Sequence, residues 1–188
     1  HTVTRRQRQM CIRDRARIYL NMIIWLASYP KSGNTWLRFY IISLLMGKQT
    51  NLNLNHLRAI MNYPHSTQFE DLVSDLFDFN EIAKNWITSQ NKINSNKNLR
   101  FFKTHNMLGK FRGNLFTNSE NTLGSIYIVR DPRNVVTSVK NHYSLSNYEE
   151  ATEFIFNENQ VLSLSDRQKD LYLKSKKFPL TQFVGSWK

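Results

Sequence analysis

The sequence predicts an α/β domain in which a parallel β-sheet is flanked by helices on both faces. Three observations favour this fold class. Short apolar segments alternate with helical patterns, the first apolar segment (residues 22–29) is almost continuously apolar, and 188 residues are enough to bury one core. A hydrophobic fraction of 40% and an aromatic fraction of 13% exclude a disordered chain. No repeat is visible, so we expect one domain.

The first half of the chain begins with a strand and a helix. Residues 22–29 are predicted to form a buried strand that Pro30 ends. Residues 35–46 are predicted to form a helix, because their large apolar side chains recur at near-helical spacing and Gly47 follows as a stop. Weaker helical patterns occur at 54–61, 69–77 and 80–90.

The second half continues the alternation. The composition of residues 91–98, "NKINSNKN", predicts a loop, and residues 99–103 and 125–130 are predicted strands. Asp131 and Pro132 then indicate a helix start, since Asp can cap free N–H groups and Pro at the first position loses no needed donor. That helix is expected to reach Tyr143, and another is predicted over 149–162.

The net charge of +12 is concentrated partly at the start of the chain. The first 17 residues, "HTVTRRQRQMCIRDRAR", contribute +5 and show no apolar period, helix cap or signal-peptide core. "RQRQMCIRDR" also resembles a translated sequencing adapter. We therefore interpret residues 1–17 as a non-native or disordered basic segment and 18–188 as the α/β domain, with a basic nucleic-acid arm as the alternative. The charge that remains favours an anionic ligand.

The composition also bears on the cellular compartment. No apolar run approaches the roughly 20 residues that cross a bilayer, so we expect a soluble protein without a membrane partner. The single cysteine, Cys11, excludes an internal disulfide framework and fits a reducing compartment. We therefore expect a cytoplasmic location.

The segment "YPKSGNTW", residues 29–36, has the properties of a phosphate-binding loop. It lies where the first strand ends and a helix begins, which is where ligands gather in parallel α/β domains. Gly33 allows close backbone approach to an anion, Lys31 adds a positive charge, and Ser32 and Thr35 add hydroxyl groups. The segment is not a Walker A motif, because its lysine precedes its only glycine, and this makes ATP or GTP hydrolysis less favoured.

The segment "FFKTH", residues 101–105, suggests acid–base chemistry. Lys103 and His105 are two residues apart, so on an extended backbone both side chains project to the same face. A lysine can stabilise developing negative charge, and a neutral histidine with an ordinary pKa of about 6.5 can remove a proton. Our hypothesis is that His105 is a general base, although a lone histidine is more often structural.

These segments resemble the sulfotransferases that use 3′-phosphoadenosine 5′-phosphosulfate (PAPS). "YPKSGNTW" resembles the 5′-phosphosulfate loop, "FFKTH" the K-T-H segment, and "IYIVRDPRNVVTSVKNHY" (126–143) the 3′-phosphate-binding strand and helix. A short "VGSWK" near the C-terminus is similar to a segment of bacterial members. The three motifs occur in order and cover about residues 22 to 145. The resemblance implies a three-layer, P-loop-NTPase-like sulfotransferase fold, PAPS as sulfonate donor, 3′,5′-diphosphate product (PAP) and no metal.

The resemblance also implies roles for individual residues. Lys31, Lys103 and His105 match catalytic positions, with Lys31 stabilising the leaving group. Trp36 would present its ring to the adenine, although without the motif a core aromatic is the simpler interpretation. The 5′-phosphate would be held by backbone N–H groups and hydroxyls of Ser32, Gly33, Asn34 and Thr35, and the 3′-phosphate by Arg130 and Ser138.

Two alternative roles concern the arginines near the third strand. Arg130 suits a terminal phosphate because its planar fork can donate two parallel hydrogen bonds. It could instead form a structural ion pair with Asp131, and Arg133 could be only a surface charge.

The sequence also departs from the family pattern. Family members normally carry a later R-K-G loop that completes the nucleotide site, and no R-K-G occurs before Lys188. We therefore expect an incomplete fold, the N-terminal part of a longer domain. The acceptor stays open as a small molecule or a carbohydrate with a hydroxyl or amine. The alternatives are a nucleotide-dependent phosphoryl transferase, for which only Asp131 is an evident Mg²⁺ ligand, an inactive nucleotide-binding fragment, and a nucleic-acid-binding module, which no groove-reading motif supports.

Overall fold

A computed structural model describes residues 22–47, 53–96, 98–165 and 177–186. The predicted basic segment 1–17 lies outside these residues. The elements in chain order are β1 (Ile23–Ser28), α1 (Asn34–Met46), a 3-10 helix (Leu54–Ala59), β2 (Met61–Asn62), a second 3-10 helix (Ser66–Gln68), α2 (Phe79–Lys84), α3 (Trp86–Asn94), β3 (Arg100–Thr104), β4 (Lys110–Phe111), β5 (Asn114–Leu115), β6 (Thr122–Ile128), α4 (Pro132–Tyr143), α5 (Tyr148–Phe156), β7 (Val161–Leu162) and β8 (Gln182–Phe183).

The four strands β2, β3, β1 and β6 form a parallel sheet in that order, which confirms the predicted fold class. Strand β1 lies in the interior of this sheet, with Leu26 aligned to Lys103 on one side and to Ile126 on the other. This position explains its almost continuous apolar sequence, since helices and loops cover both of its faces. The carboxyl ends of β1 and β3 therefore open at the same edge of the sheet.

The two faces of the sheet carry separate apolar clusters. On one face, Leu26 packs with Ile41 and Ile42 of α1. On the other face, Trp25 packs edge to face against Tyr63. The remaining buried members of this second cluster are Ile23, Phe69, Ile82, Ala83, Trp86, Ile93, Phe102, Phe116, Phe178 and Leu180. The sheet is thus the middle layer between α1 and a mixed layer of loops and short helices.

Helix α4 begins as the sequence predicts. Asp131 is its N-cap and accepts the backbone N–H of Arg133 at 2.9 Å, and Pro132 occupies the first helical position. Val135 and Val139 are fully buried against Tyr29 at the end of β1. The start of α4 is thereby held next to the loop that follows β1.

Two predicted helices in the middle of the chain are wrong. Residues 54–61 form a 3-10 helix followed by β2, and residues 69–77 form turns. In the latter segment the carboxylate of Glu81 accepts the backbone N–H groups of Ser74 and Asp75, while the Asp75 carboxylate accepts that of Phe77. These local side-chain acceptors satisfy backbone donors that a helix would need.

Other predicted boundaries also shift. The predicted helix 80–90 is two helices that meet at Asn85, and the second extends to Asn94, into the predicted loop 91–98. The predicted helix 149–162 ends at Phe156. The predicted strand 125–130 is β6, which ends at Ile128 and leaves Arg130 in the connection to α4.

The core hydroxyl of Tyr63 gives a stability prediction. This hydroxyl is fully buried, donates to the Trp86 carbonyl at 2.9 Å and accepts from the Gln90 side chain. Tyr63→Phe should lower the free energy of unfolding by about 1–3 kcal/mol, because the partners lose a buried hydrogen bond. Tyr40→Phe, at a side chain that is 63% exposed, should change it by less than about 0.5 kcal/mol. Urea denaturation of both variants measures the difference, and equal stabilities would contradict the assignment.

Candidate active site

The loop after β1 forms a turn that exposes backbone N–H groups. Lys31 and Gly33 both have positive φ, 66° and 106°, and Gly33 is the N-cap of α1. Within the described residues, the backbone N–H groups of Gly33, Asn34 and Thr35 have no hydrogen-bond acceptor. Three free donors at the start of a 13-residue helix favour a bound anion.

Asn34 ties this loop to the strand below it. Its side-chain amide donates to the Leu26 carbonyl at 2.8 Å and to the Ser28 hydroxyl at 3.1 Å. The Asn34 side chain is therefore engaged with β1. The Ser32 hydroxyl is buried, with the residue 6% exposed, and finds no partner among the described residues.

His105 follows directly after β3, and its ring is held by the end of β1. Its Nδ1 lies 2.7 Å from the Ser28 carbonyl oxygen. A carbonyl oxygen can only accept, so Nδ1 carries the hydrogen and Nε2 keeps its lone pair. This backbone contact selects the tautomer that a general base needs.

The charges around His105 keep the imidazole neutral. Burial, followed by the positive charge of Lys103, lowers the pKa of His105 to about 3, against the opposing effect of the Ser28 hydrogen bond. Smaller contributions of the same sign come from Arg38 and Lys31. Burial, followed by the charge of Arg38, also lowers the pKa of Lys103 to about 7. None of these three cations has an ion-pair partner in the described ranges.

Arg38 is a site residue that the sequence analysis missed. Its guanidinium donates to the carbonyls of Leu57 and Ile60 and so fastens the first 3-10 helix to α1. It lies four residues after Asn34, on the same face of α1. A charged residue on the helix face that packs against the sheet was the available sequence clue. Ser28, which acts through its carbonyl, had no such clue.

Arg130 lies beside the loop that follows β1. Its guanidinium donates to the Lys31 carbonyl at 3.0 Å. The alternative ion pair with Asp131 is wrong, because the Asp131 carboxylate pairs with Arg133 at 2.6 Å. The hydrogen bonds from Arg133 lower the pKa of Asp131 to about 2. Residues 129–133 line an open depression of about 480 Å³.

The structure thus brings four of the predicted residues to one edge of the sheet: Lys31, Lys103, His105 and Arg130. Trp36 is 81% exposed at the first turn of α1, so it is not the core aromatic of the alternative interpretation. Thr35 beside it is also exposed. Ser138 lies on α4 two turns after the cap and is half-buried, without a hydrogen bond to the other predicted residues.

The described residues lack two other kinds of feature. No helix there is long and apolar enough to cross a membrane. No group of three or more His, Cys, Asp or Glu side chains in those ranges could hold a metal ion.

The chain resembles a known protein family. A family model described as "Sulfotransferase domain" matches residues 22–176, which is most of the chain. No curated protein matches the chain significantly.

The two low pKa values predict how stability depends on pH. The unfolded chain binds protons more readily than the folded chain wherever the folded pKa is lower, so the free energy of unfolding rises with pH there. For His105 this window runs from about pH 3 to 6.5, and for Lys103 from about pH 7 to 10.5. His105→Gln should flatten the first rise and Lys103→Met the second.

The measurement is chemical denaturation of the native protein, His105→Gln and Lys103→Met at a series of pH values. Lys84→Met, at an exposed lysine of α2, is the matched control for loss of a lysine. Slopes that are unchanged in His105→Gln and Lys103→Met would show that neither group is held in its neutral form.

Proposed function

The chain belongs to the sulfotransferase domain family, and from that premise we propose that it transfers the sulfonate group of PAPS to a hydroxyl or amine acceptor with His105 as general base. One observation carries the proposal. The imidazole of His105 is tied through Nδ1 to the Ser28 carbonyl and is held neutral beside cations that have no carboxylate partner among the described residues. Such a group can take a proton while the same cations attract an anionic donor.

The residues present fit a donor that carries several phosphate charges. Three backbone N–H groups at the start of α1 lack acceptors within the described residues, and so does the buried hydroxyl of Ser32. Lys31 adds a positive charge at the same loop. A buried hydroxyl without a partner is costly, and free N–H groups at a helix start attract anions, so together these groups support a polar, anionic occupant. When bound, PAPS supplies the sulfonate group, whose bond to the 5′-phosphate breaks as a bond to the acceptor oxygen or nitrogen forms.

Three side chains would have separate roles in the proposed sulfonyl transfer. His105 accepts the proton of the acceptor at Nε2. Lys31 stabilises the negative charge that grows on the departing 5′-phosphate. Lys103 provides charge at the sulfonate, and an anion next to it favours its protonated form, which opposes the effect of burial.

Recognition of the nucleoside would fall to residues at the rim of the loop. Trp36 offers an exposed ring to the adenine, and aromatic rings bind bases by stacking. Arg130 donates to the Lys31 carbonyl with one nitrogen, and the rest of its guanidinium can reach a 3′-phosphate. Ser138 would complete this phosphate site from α4.

The phosphoryl-transferase alternative needs a free carboxylate for Mg²⁺. Asp131 is the only carboxylate that the sequence analysis considered for this role, and its oxygens are engaged by the helix cap and by Arg133. This supports sulfonyl transfer. Turnover that persists in EDTA would agree with it, and turnover that requires added Mg²⁺ would favour the alternative.

The role of His105 is tested by substitution. His105→Gln should reduce PAP release from PAPS by at least about 10²-fold, the contribution of a general base, when alcohols, phenols, amines and carbohydrates are supplied as acceptors. Affinity for PAP, measured by isothermal titration, should stay nearly unchanged. His56→Gln, on the first 3-10 helix, is the matched control. Retained turnover in His105→Gln would refute the assignment.

The role of Arg130 is tested by nucleotide binding. Arg130→Ala should weaken binding of PAP by about 1.5–3 kcal/mol, the usual contribution of a hydrogen bond to a charged group, and should affect AMP far less. The matched control is Arg133→Ala, which removes the same charge from an arginine that is already paired with Asp131. Titration of both nucleotides into both variants decides the matter, since equal losses for PAP and AMP would count against a 3′-phosphate role.

A further inference from the structure

A segment from the end of the chain crosses the edge of the sheet beside His105. This segment, residues 178–184, is fixed at both ends. On one side the Leu180 N–H donates to the Pro64 carbonyl at 3.1 Å, and on the other the Val184 N–H donates to the Gln160 carbonyl at 2.9 Å. The residues between these anchors, which include β8, are thus held against the carboxyl end of β3.

Three hydrogen bonds join β8 to the residues after β3. The Gln182 side-chain oxygen accepts the His105 N–H at 2.7 Å. In return, the Asn106 side-chain oxygen accepts the Phe183 N–H at 2.7 Å, and the Met107 N–H donates to the Phe183 carbonyl at 2.9 Å. Gln182 is 5% exposed and Asn106 is 7% exposed, so water competes little for these bonds.

The Gln182 oxygen satisfies a backbone N–H that the sheet leaves without an acceptor. The ladder between β3 and β1 ends at the pair of Thr104 and Ala27, so the next N–H, that of His105, has no strand acceptor. A buried N–H without a partner is costly, and the Gln182 oxygen satisfies it. The orientation of the amide is also settled, since only its oxygen can accept.

We propose that Gln182 is a positioning residue for His105, which fixes the His105 backbone so that Nδ1 stays on the Ser28 carbonyl and Nε2 remains free. This inference rests on the proposed function, because it gives Gln182 its role through the base. The geometry leaves little tolerance. The 2.7 Å contact between Nδ1 and the Ser28 oxygen is lost if the ring moves by about 1 Å.

The environment of His105 determines how its pKa would change if the ring moved. The charged groups that act on His105 are Lys103 from β3, Arg38 from α1 and Lys31 from the loop, and all three disfavour its protonated form. A ring that moves towards solvent would escape burial, the largest of the effects that lower its pKa. Loss of the Gln182 bond should therefore raise the pKa of His105 and mix its tautomers.

The test follows the ring directly by ¹⁵N NMR of histidine-labelled full chain, with the His105 signals assigned from His105→Gln. The native protein should show one Nδ1–H tautomer that stays neutral well below pH 6. Gln182→Ala should show mixed tautomers and a titration shifted upward by at least one pH unit. It should also lower kcat for PAPS turnover by about 10²-fold, with KM for PAPS changed by less than about threefold.

Two further variants control for loss of structure. Thr181→Ala changes the neighbouring side chain, which makes no hydrogen bond in the described residues, and should leave the His105 signals unchanged. Gln182→Glu keeps the acceptor oxygen and should keep the Nδ1–H tautomer, while its negative charge raises the pKa of His105. This variant tests the contact even if Gln182→Ala does not fold.

The outcomes separate this inference from the proposed function. Native-like His105 signals in Gln182→Ala, or mixed His105 tautomers in Gln182→Glu, would overturn the positioning role whether or not the enzyme is active. If the NMR signals change as expected but the native chain turns over PAPS with none of the acceptors, the positioning role stands and the proposed function fails.

Discussion

The candidate site depends on one electrostatic constraint, the gathering at one edge of the sheet of cations that pair with no carboxylate of the described residues. Lys31, Arg38 and Lys103 all act on His105, and none of the three has an ion-pair partner in the described residues. Like charges held together in a partly buried place destabilise a fold. The arrangement supports the proposal that an anionic ligand supplies the balancing negative charge, as a sulfonate donor with phosphate groups would.

Much of this site could be predicted because it follows from local rules. The apolar run of β1 is followed by the loop with Lys31 and Gly33, where a helix starts, and β6 is followed by the helix cap at Asp131. The ends of such strands meet at one edge of a parallel sheet. His105, directly after β3, was selected because its spacing of two from Lys103 predicts that both side chains project to the same face. In all these cases the information lies within a few neighbouring residues.

The contacts that prediction missed join residues far apart in the chain. Ser28 holds His105 through a carbonyl, which every residue possesses, so no side-chain type reveals it. Gln182 reaches the same backbone from 77 residues away. The helix predicted over 69–77 failed for a related reason, since a carboxylate outside the segment, that of Glu81, competes for its backbone N–H groups. The spacing of apolar residues shows which face of a helix or strand is buried, but it does not show which distant polar groups bind its backbone.

The same cations have opposite consequences before and after an anion arrives. While the site holds no anion, burial and the charges of Lys103, Arg38 and Lys31 keep the pKa of His105 near 3, so the imidazole is neutral but only weakly basic. A bound donor brings negative charge that cancels part of this potential, and an opposite charge raises the pKa of an imidazole. Because a general base works best when its pKa lies near the working pH, binding of the donor would strengthen the base that the reaction then uses. In the proposed reaction, anion recognition and proton removal would therefore share one electrostatic arrangement, and the Ser28 contact leaves Nε2 as the nitrogen that can accept the proton.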